Sequence, residues 1–562
     1  MATAPATPPP APAAAPAPPP PSESMVINLV RLLVKQGVIT QDAADALKQQ
    51  AEDEATQARL AAGAQPPAAA PPGVVRVPYV PLIVRNQIRD EIKQDVLAQA
   101  QAEGWASPGA LPSWINRIEW SGDFRFRDQS NFYSGSNIVP FIDYAAFNAN
   151  GPIDINAITN PNGLPFLNTR EDRLNQLSIR ARLAARAKIF EGVSAGVRLA
   201  TGGDGSPVST TQLLGGGLSK KAIWLDQAYL TLTPIYWGAL TVGRMPNPFD
   251  HTDNVFDEDL NFDGVAATAT SGLPFGPAGL KGFATAGAFP IDYVSSNFPT
   301  AGAVKAGDRT KWLFAGQIGA EYKPDELSWS IRGAVAYYTY RNIQGVLSDP
   351  CGLFDGNKQC SSDQSRPSFL QKGNTLFLIR DILPDPNNPL NTPQPQFVGL
   401  SYDYDLLDVT AAFEMPVWGP ARLQLVGDYT RNLAFDPARI FANPLTQPVT
   451  NFDFGPGGVL GPYHSGQNAW LAKATIGYPR AGTRGDWNLA FGYKYIEPDA
   501  VLDAFTDSDF HLGGTNARGY FVSGSYFFAN NTWISGRWLS ANQVFGPPLA
   551  IDVLQLELNT RF

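Results

Sequence analysis

The sequence predicts an all-β fold, a transmembrane antiparallel β-barrel of about sixteen strands preceded by a short α-helical, Pro-rich segment. Three observations predict this class. Apolar and polar residues alternate from Ile118 to the end of the chain. Short and long connections alternate between these segments, as in a barrel built of hairpins. The last segment alternates in the same way and closes on Phe562.

The composition agrees with a large closed sheet. The 562 residues are 44% hydrophobic and 17% charged, yet no uninterrupted apolar run reaches the roughly 18 residues of a membrane-spanning helix. Aromatic residues reach 11% and there are 52 glycines, which suits many turns and closely paired strands. The net charge of -9 argues against a nucleic-acid partner, because phosphate binding needs a basic face.

The N-terminal part divides into two segments before the barrel. Residues 1–24 are a Pro/Ala-rich tether of extended, PPII-like character, and residues 25–112 are a helical segment with a Pro-rich break. Helices are predicted over Met25–Gln36, from Gln41 to about Leu60 after an N-cap at Thr40, and from about Pro81. The apolar stripe of the third helix either packs on the barrel rim or the earlier helices, or forms a coiled coil between protomers. Because no signal peptide is recognisable, we interpret the chain as a processed form that was given a start Met.

The barrel is predicted over residues 113–562. Leu174–Phe190 carries apolar residues at odd positions and basic ones at even positions, so one face is apolar and the other charged. Trp312–Tyr322 and Trp487–Ile496 alternate similarly, and a strand pair at 260–270 and 281–294 completes the count of about sixteen. An even number of strands places both termini on the same side, which we expect to be periplasmic.

Charged side chains on these strands are expected to face the lumen. A charge on the lipid face costs around 2 to 4 kcal/mol near the bilayer midplane. A barrel of this size has room for water inside, where such charges are tolerated. The alternative to a selectivity wall is that they are simply solvated. The predicted pore-lining basic residues are Arg125, Arg127, Arg180, Arg182, Arg186 and Lys188.

Several short motifs resemble known families. Leu554, Leu556, Leu558 and Phe562 look like the assembly signal of bacterial outer-membrane proteins. The residues 32–40 (LLVKQGVIT), 79–81 (YVP), 87–89 (QIR) and 120–125 (WSGDFR) are similar to a "putative porin" family of proteobacterial outer membranes. The resemblance implies contact with outer-membrane lipid and lipopolysaccharide, folding by the barrel-assembly machinery and, by analogy with sixteen-stranded porins, a homotrimer.

An acidic loop follows the fifth predicted strand. In general diffusion porins this loop folds inward and sets acidic groups opposite a basic wall, and the position and charge here look alike, which would create a transverse field. Two alternatives are a Ca²⁺ site, although the spacing is not that of an EF-hand, and a solvated surface loop. No other cofactor is expected. The predicted constriction residues are Asp250, Asp253, Asp257, Glu258 and Asp259.

The cysteines and histidines complete the candidate chemistry. Cys351 and Cys360 are predicted to form a loop disulfide, with free thiols as the alternative. His251, His464 and His511 stand in no local nucleophile motif, and no Walker loop, dinucleotide fingerprint or HExxH is present, so no enzyme is expected.

Two functions compete at this stage. The first is a passive pore for small hydrophilic solutes or ions, with a mild anion preference from the arginines. The second is a structural or adhesive role, in which the N-terminal segment contacts the cell wall or partner protomers. Bilayer conductance and deletion of the N-terminal segment would separate the two functions.

Overall fold

The computed structural model describes residues 117–562 except 204, 273–275, 299–306, 326–328 and 455–458, together with residues 34, 40–46, 49–50, 53 and 57. The chain divides into two units, Met1–Asn116 and Arg117–Phe562. In the first unit, residues 41–46 are helical, and the Ala43 main-chain N–H donates to Thr40 Oγ1 at 3.3 Å, the capping bond expected at this position. Apart from residue 34, which is helical, the other predicted helices and the tether lie outside the described residues. No helix among the described residues is long and apolar enough to cross a membrane.

The second unit is built on sixteen long antiparallel strands, as the alternation predicts. The strand pair predicted around residues 260–294 is present as β6 and β7. The strands are β1 (Ile118–Tyr133), β2 (Arg173–Phe190), β3 (Val193–Ala200), β4 (Trp224–Ile235), β5 (Gly238–Pro246), β6 (Asn261–Gly272), β7 (Leu280–Asp292), β8 (Lys311–Tyr322), β9 (Ser330–Arg341), β10 (Asp405–Trp418), β11 (Ala421–Asn432), β12 (Asn468–Gly477), β13 (Trp487–Ile496), β14 (Ala517–Ala529), β15 (Thr532–Gln543) and β16 (Ala550–Arg561).

The sheet closes because β1 pairs with both β2 and β16. Arg125 on β1 stands opposite Arg180 on β2, and opposite Asn559 on β16. All other neighbours pair antiparallel in chain order, so no long strand is left with an open edge. The predicted closed barrel of about sixteen strands is therefore confirmed.

Smaller elements lie in the connections. The short helices are Tyr144–Asn150 and Pro437–Ile440, with 3₁₀ turns at Leu353–Asp355, Asp363–Ser365, Pro389–Asn391, Pro444–Thr446, Asp503–Phe505 and Phe510–Leu512. The short strands are Ile153–Asp154, Gln212–Leu213, Leu376–Leu378, Pro395–Gln396, Val398–Leu400, Phe452–Phe454 and Leu460–Tyr463.

The two faces of the barrel follow the alternation of the sequence. On β2, the side chains of Leu177, Leu183 and Ile189 are exposed on the outer surface, whereas Arg180 and Arg182 make ion pairs within the barrel. A period of two along each strand fixes this division, because successive side chains point to opposite faces. An apolar exterior over a charged interior is the pattern of a sheet that faces lipid.

Short turns lie at one end of the barrel and long loops at the other, and some long loops pack inside it. We call three of them L3 (residues 247–260), L5 (342–404) and L7 (497–516). An aromatic cluster anchors L3 to the wall: the ring of Phe256 lies 5.2 Å from that of Phe262 and 5.1 Å from that of Tyr338. Phe249 adds a further edge-to-face contact with Tyr338 at 5.4 Å. The loops therefore place side chains within the lumen at this end.

Candidate pore constriction

Loop L3 leaves β5 and enters the barrel interior. Pro246 and Pro248 flank Asn247, whose side-chain oxygen accepts a hydrogen bond from the Phe249 main-chain N–H at 3.0 Å and turns the chain. Beyond this turn, Asn254 is fully buried and Asp257 is 7% exposed. The alternative of a solvated surface loop is therefore wrong for this segment.

The first half of L3 is bound to the wall formed by β8 and β9. The main-chain N–H of Asp250 donates to Gln317 Oε1 at 2.8 Å, and Gln317 Nε2 donates back to the Asp250 carbonyl at 2.6 Å. The Asp250 carboxylate accepts from Arg332 Nε at 2.6 Å. The sequence did not single out Arg332, because β9 carries it as an isolated charge among apolar and small residues.

The middle of L3 reaches β13 and L7. Lys494 Nζ lies 2.9 Å from Asp253 Oδ2 and 2.7 Å from Asp507 Oδ2, with 1% of its side chain exposed. Asp257 accepts a hydrogen bond from the Ser508 main-chain N–H at 2.9 Å. Lys494 therefore joins the two loops. In the sequence, the only sign of this role is that Lys494 lies on the polar face of an alternating strand.

The end of L3 meets the arginines of β2. Arg182 Nη1 lies 2.9 Å from Asp259 Oδ1, and Arg180 Nη1 lies 3.7 Å from the same oxygen. The same two arginines also bind Asp123 of β1, at 2.6 Å for Arg182 Nε and 3.0 Å for Arg180 Nε. L3 thus spans the lumen from β8 and β9 to β2.

Arg125 and Arg127 form a second cluster on the inner face of β1. Arg127 lies 2.7 Å from Glu557 and 2.9 Å from Asp509 of L7, and Arg125 lies 3.6 Å from Glu557. Arg537 of β15 also pairs with Asp509, at 2.8 Å. Burial opposes ionisation of the Asp509 carboxyl, but the charges of Arg127 and Arg537 outweigh it and lower its pKa.

The remaining two predicted basic residues lie near the short-turn end. Lys188 Nζ pairs with Glu119 at 2.8 Å, and 68% of its side chain is exposed, so Lys188 lies at the rim rather than deep in the lumen. Arg186 is also exposed and stands opposite Glu119 in the register of β1 and β2. Of the predicted basic residues, four are buried or half-buried and paired with carboxylates, and two are exposed near the short-turn end. The first four are Arg125, Arg127, Arg180 and Arg182, and the other two are Arg186 and Lys188.

The acidic partners were missed by the sequence analysis. Asp123 lies two residues before Arg125 on β1 and faces the lumen as Arg125 does, and Glu557 on β16 stands opposite Arg127. The alternation along β1 and β16 could therefore have identified both acids. Asp509 could not be found this way, because it lies in a loop without periodicity. Glu258, by contrast, was predicted for the constriction and is exposed.

Three of the L3 carboxylates, Asp253, Asp257 and Asp259, differ in their electrostatics. Burial disfavours ionisation of Asp253 and Asp259, but Lys494 and the arginines respectively outweigh it, so both pKa values are lowered. Burial and the neighbouring Asp507 raise the pKa of Asp257 to about 8. Asp253 and Asp259 are thus held in the charged form, whereas Asp257 titrates near neutral pH.

Two cavities are lined by residues of the contact between L3 and β2. One of about 520 Å³ is lined by Asp259, Asp226 and Lys311, together with residues of L5 and L7. The other, of about 550 Å³, is lined by Arg182 and Arg186 among others. The ion pair of Asp259 and Arg182 therefore joins a residue that lines the first cavity to one that lines the second.

The other predicted features are placed as follows. Cys351 and Cys360 form a disulfide with their Cα atoms 5.7 Å apart, within L5. The His511 ring is buried and its Nε2 lies 3.0 Å from the Leu549 carbonyl oxygen, so it is part of loop packing. Among the described residues, no group of three or more His, Cys, Asp or Glu side chains is arranged to hold a metal ion.

The final strand presents the predicted signal residues outward. Leu556 and Leu558 are 53% and 44% exposed, and Phe562 is 71% exposed. Their neighbours Gln555 and Asn559 are buried on the inner face. An assembly role for Leu554, Leu556, Leu558 and Phe562 stays a prediction.

Comparison with known proteins gives a family. The family described as "Putative porin" matches residues 23–562. OprB of Pseudomonas putida is 11% identical with a TM-score of 0.39, over 84% of this chain and 97% of its own. OmpF of Salmonella typhi, solved with daunomycin, is 9% identical with a TM-score of 0.37, over 79% and 97%. The outer-membrane channel DcaP of Acinetobacter baumannii is 10% identical with a TM-score of 0.35, over 79% and 97%.

None of the curated proteins compared with this sequence matches it. The structural likenesses are too distant to transfer any residue role, so the family match carries the assignment. That match covers nearly the whole chain, including all sixteen strands of the closed barrel. The chain therefore belongs to the "Putative porin" family and is an outer-membrane channel protein.

Proposed function

We propose that the barrel is a water-filled channel for passive diffusion of small hydrophilic solutes or ions, with L3 as its constriction. The observation that carries the proposal is the contact of Asp259 on L3 with Arg182 on the opposite wall at 2.9 Å. A loop that crosses the interior narrows the path that a closed barrel of this size otherwise leaves open.

The two cavities support a route past this contact. Their volumes of about 520 and 550 Å³ suit small molecules rather than polymers. A solute that passes from one to the other meets Asp259, Arg180 and Arg182 together. We therefore expect the size limit and the selectivity to depend on these three side chains.

We propose only a mild preference for anions. Asp123 and Asp259 each pair with the arginines of β2, so most of the positive charge of this wall is neutralised locally. Arg186 is exposed and lines the cavity near the short-turn end. A small positive surplus at that end supports anion entry without excluding cations.

The test is planar-bilayer recording with the purified full-length protein. Stepwise conductance increases that scale with salt concentration are expected. The same preparation after irreversible heat denaturation serves as the control. A folded barrel that inserts into the bilayer and gives no conductance steps would refute the pore.

We propose that the short turns and both termini face the periplasm, and that the protein is a homotrimer. The even strand number supports termini on one side, since β1 begins and β16 ends at the short-turn end. Contacts with lipopolysaccharide and the barrel-assembly machinery follow from an outer-membrane location. Protease treatment of intact cells should cut the long loops and spare the N-terminal segment, and native mass measurement should give three copies.

A structural or adhesive role of the N-terminal segment stays a prediction, because that segment lies almost wholly outside the described residues. Deletion of the residues before Pro78 separates the two functions. Envelope defects with unchanged conductance would favour tethering to the cell wall. We propose no catalytic step for the barrel.

A further inference from the structure

Two buried carboxylates meet on the inner wall of the barrel beneath L3. Asp408 on β10 is 1% exposed and Asp428 on β11 is 5% exposed. Thr430 Oγ1 lies 2.9 Å from Asp408 Oδ1 and 3.3 Å from Asp428 Oδ1. A hydroxyl has one hydrogen and can satisfy only one of the two at a time. Among the described residues, no Lys or Arg pairs with either carboxylate.

L3 closes the space above these carboxylates. Thr252 Oγ1 donates to Asp428 Oδ2 at 2.8 Å, and Asn254 Nδ2 donates to Asp428 Oδ1 at 3.1 Å. Asn254 is fully buried, so its amide group is held between the loop and the wall. L3 therefore places polar side chains next to the carboxylates that β10 and β11 provide.

Three polar atoms around this point have no hydrogen-bond partner in the described part of the chain. They are Asp408 Oδ2, Asn254 Oδ1 and the Tyr338 hydroxyl, all buried. Tyr338 on β9 pairs with Leu406, two residues before Asp408, and lies within electrostatic reach of both carboxylates. Its hydroxyl bonds to neither carboxylate. Native proteins rarely leave such groups unsatisfied, so the arrangement indicates a missing partner.

The missing partner must carry positive charge. Two carboxylates that share one hydroxyl in a buried site are costly unless a proton or a cation compensates them. Carboxylate, amide and hydroxyl oxygens are the ligands of hard cations. Mg²⁺ keeps several of its waters, whereas Ca²⁺ accepts a set of protein oxygens with flexible geometry. Because the unpartnered oxygens here are closed off from solvent, the set fits Ca²⁺ better.

We propose that Asp408, Asp428, Asn254 and Thr430 form a binding site for one Ca²⁺ ion, which holds L3 against the wall of β10 and β11. Only Asn254 of this set comes from L3. The acidic residues of L3 for which the sequence suggested Ca²⁺ are not part of it, because Asp250, Asp253 and Asp259 bind basic side chains. Ca²⁺ binding at this site does not depend on whether the barrel conducts ions or solutes.

The test is calcium binding by the purified full-length protein, stripped with EDTA and returned to KCl buffer at neutral pH. Calorimetric titration with CaCl₂ should show saturable binding of one ion per chain. Asp408→Asn and Asp428→Asn should each weaken it by about tenfold or more, since each removes a charged ligand. Asp349→Asn, which removes an exposed carboxylate of L5, is the matched control and should bind as the wild type does.

A second readout covers the case in which an Asp variant does not fold. Thr430→Val keeps the side-chain shape and both carboxylates, and should weaken Ca²⁺ binding while the barrel stays folded. Terbium bound in the site should luminesce through Tyr338, and added Ca²⁺ should displace it, whereas Tyr338→Phe should lose the signal. No saturable Ca²⁺ binding by the wild type would leave a shared proton as the compensating charge and would overturn the proposal. Binding by folded Asp408→Asn and Asp428→Asn as tight as that of the wild type would place the ion elsewhere and would overturn it too.

Discussion

Phe562 and Gly122 are joined by two main-chain hydrogen bonds at the seam where β16 meets β1. The Phe562 N–H donates to the Gly122 carbonyl at 3.0 Å, and the Gly122 N–H donates to the Phe562 carbonyl at 3.1 Å. A Cβ atom at Gly122 would lie 2.6 Å from Phe562 Cζ and 2.8 Å from the Arg182 carbonyl oxygen. The terminal ring therefore lies over a position that only glycine leaves free.

Gly122→Ala should destabilise the closed barrel. The new methyl group must displace the Phe562 ring and press on the backbone of β2, an overpacking cost of about 1 to 3 kcal/mol. We expect a lower thermal midpoint and more heat-unfolded protein on semi-native gels.

Gly427→Ala is the matched control for this seam. Gly427 lies on β11, and a Cβ atom there would have no neighbour within 4 Å. Its effect should stay within about 0.5 kcal/mol. Equal destabilisation by the two substitutions would show that the packing of Phe562 on Gly122 is not important.

The faces of the barrel could be predicted because they depend on a local period. Leu177 and Leu183 point outward, and Arg180 and Arg182 inward, as the alternation requires, since one step along a strand reverses the side chain. The strand count followed from the same period and from the spacing of turns. Neither inference needed any contact between distant parts of the chain.

Asp259→Asn should increase the preference of the channel for anions over cations. It removes the negative charge that faces Arg180 and Arg182 and leaves Asp123 as their acidic partner. At an effective dielectric constant of 20, two unit charges 4 Å apart interact by about 4 kcal/mol, so the local potential changes substantially. The reversal potential under a salt gradient should move in the anion direction.

Glu258→Gln is the control for this charge change. Glu258 is adjacent in sequence but exposed, so it should shift the reversal potential much less. If both variants behave alike, Asp259 does not lie at the narrowest point of the route.

The candidate site could be predicted only in part. The inward arginines and the acidic loop were identified, but their pairing was not, because L3 and L7 have no periodicity from which a path could be read. Lys494 joins Asp253 and Asp507, residues 241 and 13 positions away, only after both loops have folded inward. The isolated acids Asp408 and Asp428 gave no local signal for the same reason.

Replacing Arg180, Arg182 and Arg186 together by Gln should reverse the selectivity toward cations. The change leaves Asp123 and Asp259 without their partners, so the constriction becomes negative. Planar-bilayer reversal potentials measure the shift.

Lys188→Gln is the control for the triple variant. Its side chain is 68% exposed at the rim, where the solvent screens its charge, so the reversal potential should barely change. An unchanged reversal potential in the triple variant would make the arginines of β2 structural only.

Asp257 should make the docking of L3 dependent on pH. Burial and Asp507 raise its pKa to about 8, well above the value of about 4 for an unfolded aspartate. The folded state therefore holds a proton that the unfolded state has lost. Between these two pKa values, stability falls as the pH rises, and the loss is complete above about pH 8.

Asp257→Asn should remove this pH dependence, because Asn cannot ionise beside Asp507. Between pH 6 and pH 8.5, the free energy of unfolding of the wild type should fall relative to that of the variant by up to about 1.4 kcal/mol for each pH unit. We expect the thermal midpoint of the wild type to fall with it. Limited proteolysis of L7 should increase over the same range in the wild type alone. Parallel pH profiles for the two proteins would mean that Asp257 is already ionised at neutral pH and that its main-chain hydrogen bonds from Asp259 and Ser508 outweigh the repulsion.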